Sequence, residues 1–128
     1  MKFVSWDEKF ADEFGTWWDG LSVDEQESIV PIVRLLEKHG PSLRFPYSSG
    51  IVGSRHAHMR ELRIQHEGHP YRVLYAFDPV LRGAEGRSAV LLIGGDKTGK
   101  GRWYEEHVPI ADRIYDEHVA QLKRGGLM

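Results

Sequence analysis

The chain has no cysteine, which excludes a disulfide framework, a thiolate metal site and a cysteine nucleophile. It has no apolar run near the roughly 20 residues that a membrane span requires, and its opening MKFVSWDEKF lacks the apolar core of a secretory signal. A cytoplasmic protein without a membrane segment is expected. Excess positive charge is missing too: 17 Lys and Arg against 19 Asp and Glu leave a net charge of -2, which argues against general affinity for polyanions. No internal repeat or low-complexity tract interrupts the 128 residues, a length that suits one domain spanning 1–128.

What charge there is, is segregated. Residues 1–49 carry five Lys and Arg against nine Asp and Glu, residues 50–104 nine against five, and residues 105–128 three against five. The basic section coincides with the best strand signals, so the expectation is a local anion site built on a sheet.

Those strands are read from alternation, since successive side chains point to opposite faces. Over Tyr71–Phe77, Tyr71, Val73, Tyr75 and Phe77 share one face, leaving Arg72, Leu74 and Ala76 on the other. Over Arg60–Gln65, Arg60 goes with Leu62 and Ile64, and Glu61, Arg63 and Gln65 face the opposite way. The turn HEGHP between them predicts an antiparallel hairpin that brings Arg63 near Arg72. A third run, Ser88–Gly94, is apolar on both faces and reads as a covered central strand.

Around them, Lys2–Trp6 reads as a first strand, and Ser5 as the cap of a helix over 7–18 with Phe10, Phe14, Trp17 and Trp18 on its core side. Ser22 and Glu25 form a capping box opening a second helix to about Lys38, stopped by Gly40 and kinked or broken at Pro31. Residues 41–58 read as a long loop. A last helix carries Tyr104, His107, Val108, Ala111, Ile114, Tyr115, His118 and Leu122 at helical spacing, with Pro109 setting off its first turn, before fraying over 123–128. The order predicts an α+β fold: a small, mostly antiparallel sheet with two N-terminal helices and one C-terminal helix.

Gly94–Gly101, GGDKTGKG, nearly spells a nucleotide-binding P-loop but has Gly101 where magnesium needs a hydroxyl. As a basic, amide-rich loop before a helix, it still points to anion binding at Lys97, Lys100 and Arg102. His56, His58, His66 and His69 make a metal site conceivable, but no well-placed carboxylate completes it, and no metal or cofactor is assigned. Glu61 beside Arg63 reads as an ion pair or a site carboxylate. Tyr104 and His107, just after the loop, are core-edge residues or a proton donor and a stacking platform.

The runs HMRELRI (58–64), PYRVLYAFDP (70–79) and LLIGGDKTG (91–99), with Arg102-Trp103-Tyr104, Val108-Pro109, SWDEKF (5–10) and FPYSS (45–49), resemble the phage-derived HigB-like branch of the RelE/ParE toxin superfamily. The resemblance implies a type II toxin that cuts messenger RNA on the ribosome through the substrate's own 2′-hydroxyl. Its implied partners are the ribosome, the message and a helix-turn-helix antitoxin with which it forms an oligomer. It assigns phosphate chemistry to Arg63, Arg72 and Lys97, and RNA-binding or secondary catalytic roles to Lys100, Arg102, Tyr104, His107, Glu61 and Arg60, while Arg82 is expected to be silent. The acidic balance keeps open a ParE-like toxin that docks on gyrase without cutting RNA, or an inactive interaction module.

Overall fold

The predicted hairpin is the centre of the fold. In the computed structural model, which describes residues 8–78 and 88–125, strand β3 (Arg60–His66) returns as β4 (His69–Phe77). The turn is made by Glu67 and Gly68, with φ of 50° and 80°. Two successive positive φ values give the twist that two-residue hairpins require, which Gly68 adopts freely. β5 (Ala89–Asp96) pairs antiparallel with β4 on its other side, and the short β1 (Glu8–Phe10) adds parallel to β5. β2 (Ser48–Gly50) edges β3, giving a mixed five-stranded sheet in the order β1-β5-β4-β3-β2.

Alternation then decides what each face carries. Tyr71, Val73, Tyr75 and Phe77 join Leu62, Ile64 and Leu91 beneath α1 (Asp12–Asp19) and α2 (Val23–His39). Leu74, Ala76, Val90 and Leu92 face α3 (Trp103–Arg124), meeting Trp103, Val108, Ala111, Ile114 and Tyr115. The fold is α+β, with two helices between β1 and the other strands and one helix after them, as expected. β5 carries a bulge: Leu74 pairs with Ile93 and Tyr75 with Leu91, so Leu92 is the extra residue. Beyond it Gly94 and Gly95 look to opposite faces. A Cβ on Gly94 would stand 2.3 Å from the Trp17 ring, and one on Gly95 2.6 Å from Trp103 Nε1. These glycines therefore admit two tryptophans against the sheet instead of opening a phosphate loop.

Several expected boundaries move. Residues 8–10 are strand, so α1 starts at Asp12 after Ala11; Lys2–Trp6, Ser5 and Arg82 lie outside the described residues. Phe14 is buried and Trp17 and Trp18 pack against the core, but Phe10 is 62% exposed because strand geometry turns it off the helical stripe. The Ser22–Glu25 capping box forms in both directions. Neither proline divides its helix: α2 is continuous through Pro31 and α3 through Pro109. Both prolines are exposed, so the carbonyls they leave unpaired one turn back, those of Glu27 and Glu105, are free to bond water. Within the expected 41–58 loop, a 3₁₀ turn (Gly40–Ser42) and β2 are ordered elements. No helix among the described residues is long and apolar enough to cross a membrane.

Candidate functional site

At the end of the sheet facing α3, the apolar layer gives way to charge. Arg63 and Arg72 are direct partners across β3 and β4, so the hairpin register sets two guanidinium groups side by side. Beside them on β3, Glu61 is buried at 3% exposure. Its Oε1 accepts from the Tyr104 hydroxyl at 2.5 Å, and its Oε2 accepts from Arg63 Nη1 at 3.0 Å and from the Ser49 hydroxyl at 2.7 Å. Arg72 Nε lies 3.5 Å from Glu61 Oε1, an ion contact without a hydrogen bond, while Arg72 Nη1 donates to the Tyr71 carbonyl at 2.9 Å.

Arg72 is itself only 5% exposed. The sequence makes it look like an outward-facing charge dispensable for packing; the structure corrects this, because α3 covers that face and Trp103 sits on Gly95, its partner residue in β5. Tyr104 enters from the first turn of α3. Burial and then the Glu61 carboxylate hold its phenol above the ordinary value of 10.0, with Arg72 pulling the other way, so the hydroxyl is a donor at neutral pH. Lys97 Nζ stands 5.7 Å from the centroid of the Tyr104 ring, a third cation set against the tyrosine that donates to Glu61.

The other predicted residues are less central. Arg60 lies on the opposite face, its Nε donating to Ser48 Oγ at 3.0 Å. Arg102 pairs with Glu105 at 3.0 Å on the surface, and Lys100 is exposed. The loop is not an open nest of amides: the N–H groups of Lys97, Thr98, Lys100 and Trp103 donate respectively to the Pro70 carbonyl, the Asp96 carboxylate, the Lys97 carbonyl and the Lys100 carbonyl. Its contribution is thus the Lys97 side chain more than its backbone. His107 stacks on Trp103 with ring centroids 4.2 Å apart, and its Nδ1–H donates to the Trp103 carbonyl at 2.8 Å. Since a carbonyl can only accept, Nδ1 carries a proton in this contact.

The histidines entertained for a metal fall into two pairs, His56 with His58, ring centroids 6.0 Å apart, and His66 with His69 across the hairpin. His56 bonds Asp116, His66 bonds Ser28 and His69 bonds Thr98, and among the described residues no group of three or more His and carboxylate side chains is placed to hold a metal ion. Ser49 was not readable as a site residue. Its segment carries the small polar residues of a turn, and only the pairing of Ser49 with Glu61 across β2 and β3 brings its hydroxyl to the carboxylate.

Comparison with known proteins bears on the family. Residues 16–116 match the family described as phage-derived protein Gp49-like (DUF891). This chain belongs to that family. Two relatives come from Mycobacterium tuberculosis (strain H37Rv): the candidate toxin HigB2, 35% identical over 115 residues, and the candidate toxin HigB3, 38% identical over 111 residues. The alignments take in 88% and 86% of this chain, but 54% of HigB2 against 90% of HigB3, so the chain spans about half the length of the one and most of the other. No solved structure gives a significant match. The HigB-like resemblance of the Gp49-like member is thereby borne out.

Proposed function

We propose that this Gp49-like protein is the toxin of a type II toxin–antitoxin pair and cuts messenger RNA on the ribosome. The observation that carries the reading is the register pairing of Arg63 with Arg72 on the Glu61 carboxylate, two cations that one carboxylate cannot neutralise, with Lys97 against the Tyr104 ring as a third. Such a surplus suits the phosphorane formed when a 2′-hydroxyl attacks the adjoining phosphate. Arg72 and Arg63 stabilise its oxygens, and the fork of a guanidinium can hold two of them at once. Glu61, buried, reaches the substrate through the Tyr104 and Ser49 hydroxyls that it accepts from; the Tyr104–Glu61 couple takes the 2′-hydroxyl proton as that oxygen bonds phosphorus, and returns it to the 5′-oxygen as the P–O5′ bond breaks, leaving a 2′,3′-cyclic phosphate and a 5′-hydroxyl end. The two HigB-named relatives support the toxin assignment, and the partners expected with it are a helix-turn-helix antitoxin, the ribosome and its message. Compartment and assembly follow from that reading: a cytoplasmic protein held in a hetero-oligomer with its antitoxin.

Mapping 5′ ends of messages on translating ribosomes, with and without the purified protein, tests the reading. New ends in fixed position relative to codons are expected, along with growth arrest that the antitoxin relieves. Growth arrest without new ends would discard the nuclease and leave a docking toxin.

A further inference from the structure

Next to the cationic cluster, the chain displays two large rings where water would normally exclude them. Phe45 is 70% exposed and Tyr47 43% exposed. Their segment is held firmly: the Tyr47 and Ser48 amides both donate to the Arg44 carbonyl, at 3.0 and 3.1 Å, Leu43 is buried at its base, and the Tyr47 carbonyl accepts from the Arg63 amide at 2.9 Å. The Arg63 guanidinium carbon lies 5.1 Å from the Phe45 ring centroid while Nη1 of the same group holds Glu61. One side chain therefore links the exposed ring to the site carboxylate.

We propose that Phe45 and Tyr47 form a stacking platform for an unpaired nucleobase of the RNA whose phosphate lies against Arg63 and Arg72. The inference rests on the nuclease reading and adds to it a base-contacting subsite on a segment not assigned any role. A ring already partnered by a guanidinium favours a further flat π surface on its exposed area, and the adjoining surplus of positive charge favours the anionic strand that carries the base. A protein partner held by apolar contact would be served equally by aliphatic side chains, and would gain nothing from the guanidinium linking the ring to the phosphate site.

The test is an NMR and affinity titration of the free protein with a short single-stranded RNA bearing 2′-O-methyl sugars, which lacks the attacking hydroxyl, beside an abasic strand of equal charge. Upfield shifts of the Phe45 and Tyr47 ring protons are expected with the intact strand and not with the abasic one. Phe45→Leu keeps apolar bulk but loses the flat ring; it and Phe45→Ala are expected to weaken intact-strand binding roughly 5- to 150-fold and leave abasic binding unchanged, with Phe45→Trp close to wild type. Ring protons unmoved by the intact strand, or equal wild-type affinity for both strands, would overturn the platform. So would variants that bind RNA normally but escape the antitoxin, an outcome assigning the rings to a protein partner. Base-dependent binding without cleavage on ribosomes would remove the nuclease reading and leave the platform standing.

Discussion

The two faces of the β3–β4–β5 sheet are made by alternate residues of the same strands, yet they differ in kind. Towards α1 and α2 the layer is apolar from Phe14 and Leu36 to Tyr75 and Phe77; among its polar groups Tyr71 bonds Glu25, and Ser48 bonds both Tyr75 and Arg60. Towards α3 the apolar layer stops short, and Glu61, Arg63, Arg72 and Tyr104 occupy the remaining end. A buried ion cluster is weak support for a fold, because desolvation offsets much of its attraction. The apolar layers on both faces therefore account for stability, the second through Trp103, Val108, Ile114 and Tyr115 against Leu74, Ala76, Val90 and Leu92. The second trades part of that stability for a surplus of fixed cations.

The largest expected effect breaks the second face. Arg72→Ala should reduce ribosome-dependent cleavage by something like the roughly 10²–10³-fold that follows loss of one preorganised transition-state donor. Because it also strips the buried Glu61 of a partner, stability should drop by a few kcal/mol, up to about 3–5. Denaturant unfolding beside single-turnover cleavage measures both losses. Leu36→Ala, on the first face and fully buried, should cost about 2–5 kcal/mol and leave the cleavage rate of the folded fraction unchanged.

How much of this contrast could be read from the chain depends on whether a feature is local. Strand alternation placed Arg72 opposite Tyr71 and Val73, and the turn at Gly68 put Arg63 across from it, because both follow from period and turn chemistry alone. The burial of Arg72 could not be read that way. It depends on α3 lying over the face and on Gly95 admitting Trp103, a contact between positions far enough apart to leave no periodic trace. The same holds for Ser49, whose hydroxyl reaches Glu61 only through the pairing of β2 with β3, and for Gly94, which resembled a phosphate loop in sequence but provides clearance for Trp17. Arg60 shows the converse: its alternation with Leu62 and Ile64 already set it apart from Glu61 and Arg63.

A smaller effect sharpens the comparison through pH. On the first face, burial and then Glu25 push the Tyr71 phenol above its ordinary 10.0. The folded protein thus keeps a proton that the unfolded chain releases near pH 10, and this contribution to stability is lost as pH rises past that value. Where β4 ends beneath α3, burial pushes the Asp78 carboxyl up, but hydrogen bonds from His118 and Lys9 hold it below its ordinary 3.8. Its contribution is present above pH 3.8 and is lost as pH falls below it. Thermal melts across pH should show Tyr71→Phe flattening the alkaline fall and also easing the acid fall, because the Tyr71 hydroxyl is the main group holding the Glu25 carboxyl below its ordinary 4.5, whereas His118→Gln should ease the acid fall alone.

Arg72 and Val73 are neighbours in β4 pointing to opposite faces, so the most direct measurement sets Arg72→Lys beside Val73→Ala in single-turnover cleavage of ribosome-bound message, with unfolding free energies taken on the same samples. Arg72→Lys retains the charge without the guanidinium fork; it should stay folded and cut more slowly than wild type, but faster than Arg72→Ala. Val73→Ala should lose about 2 kcal/mol of stability and cut at the wild-type rate wherever it is folded. Wild-type cleavage by Arg72→Lys and Arg72→Ala alike, with slow cleavage by folded Val73→Ala, would contradict the division of the sheet into a face that only stabilises and one that also reacts.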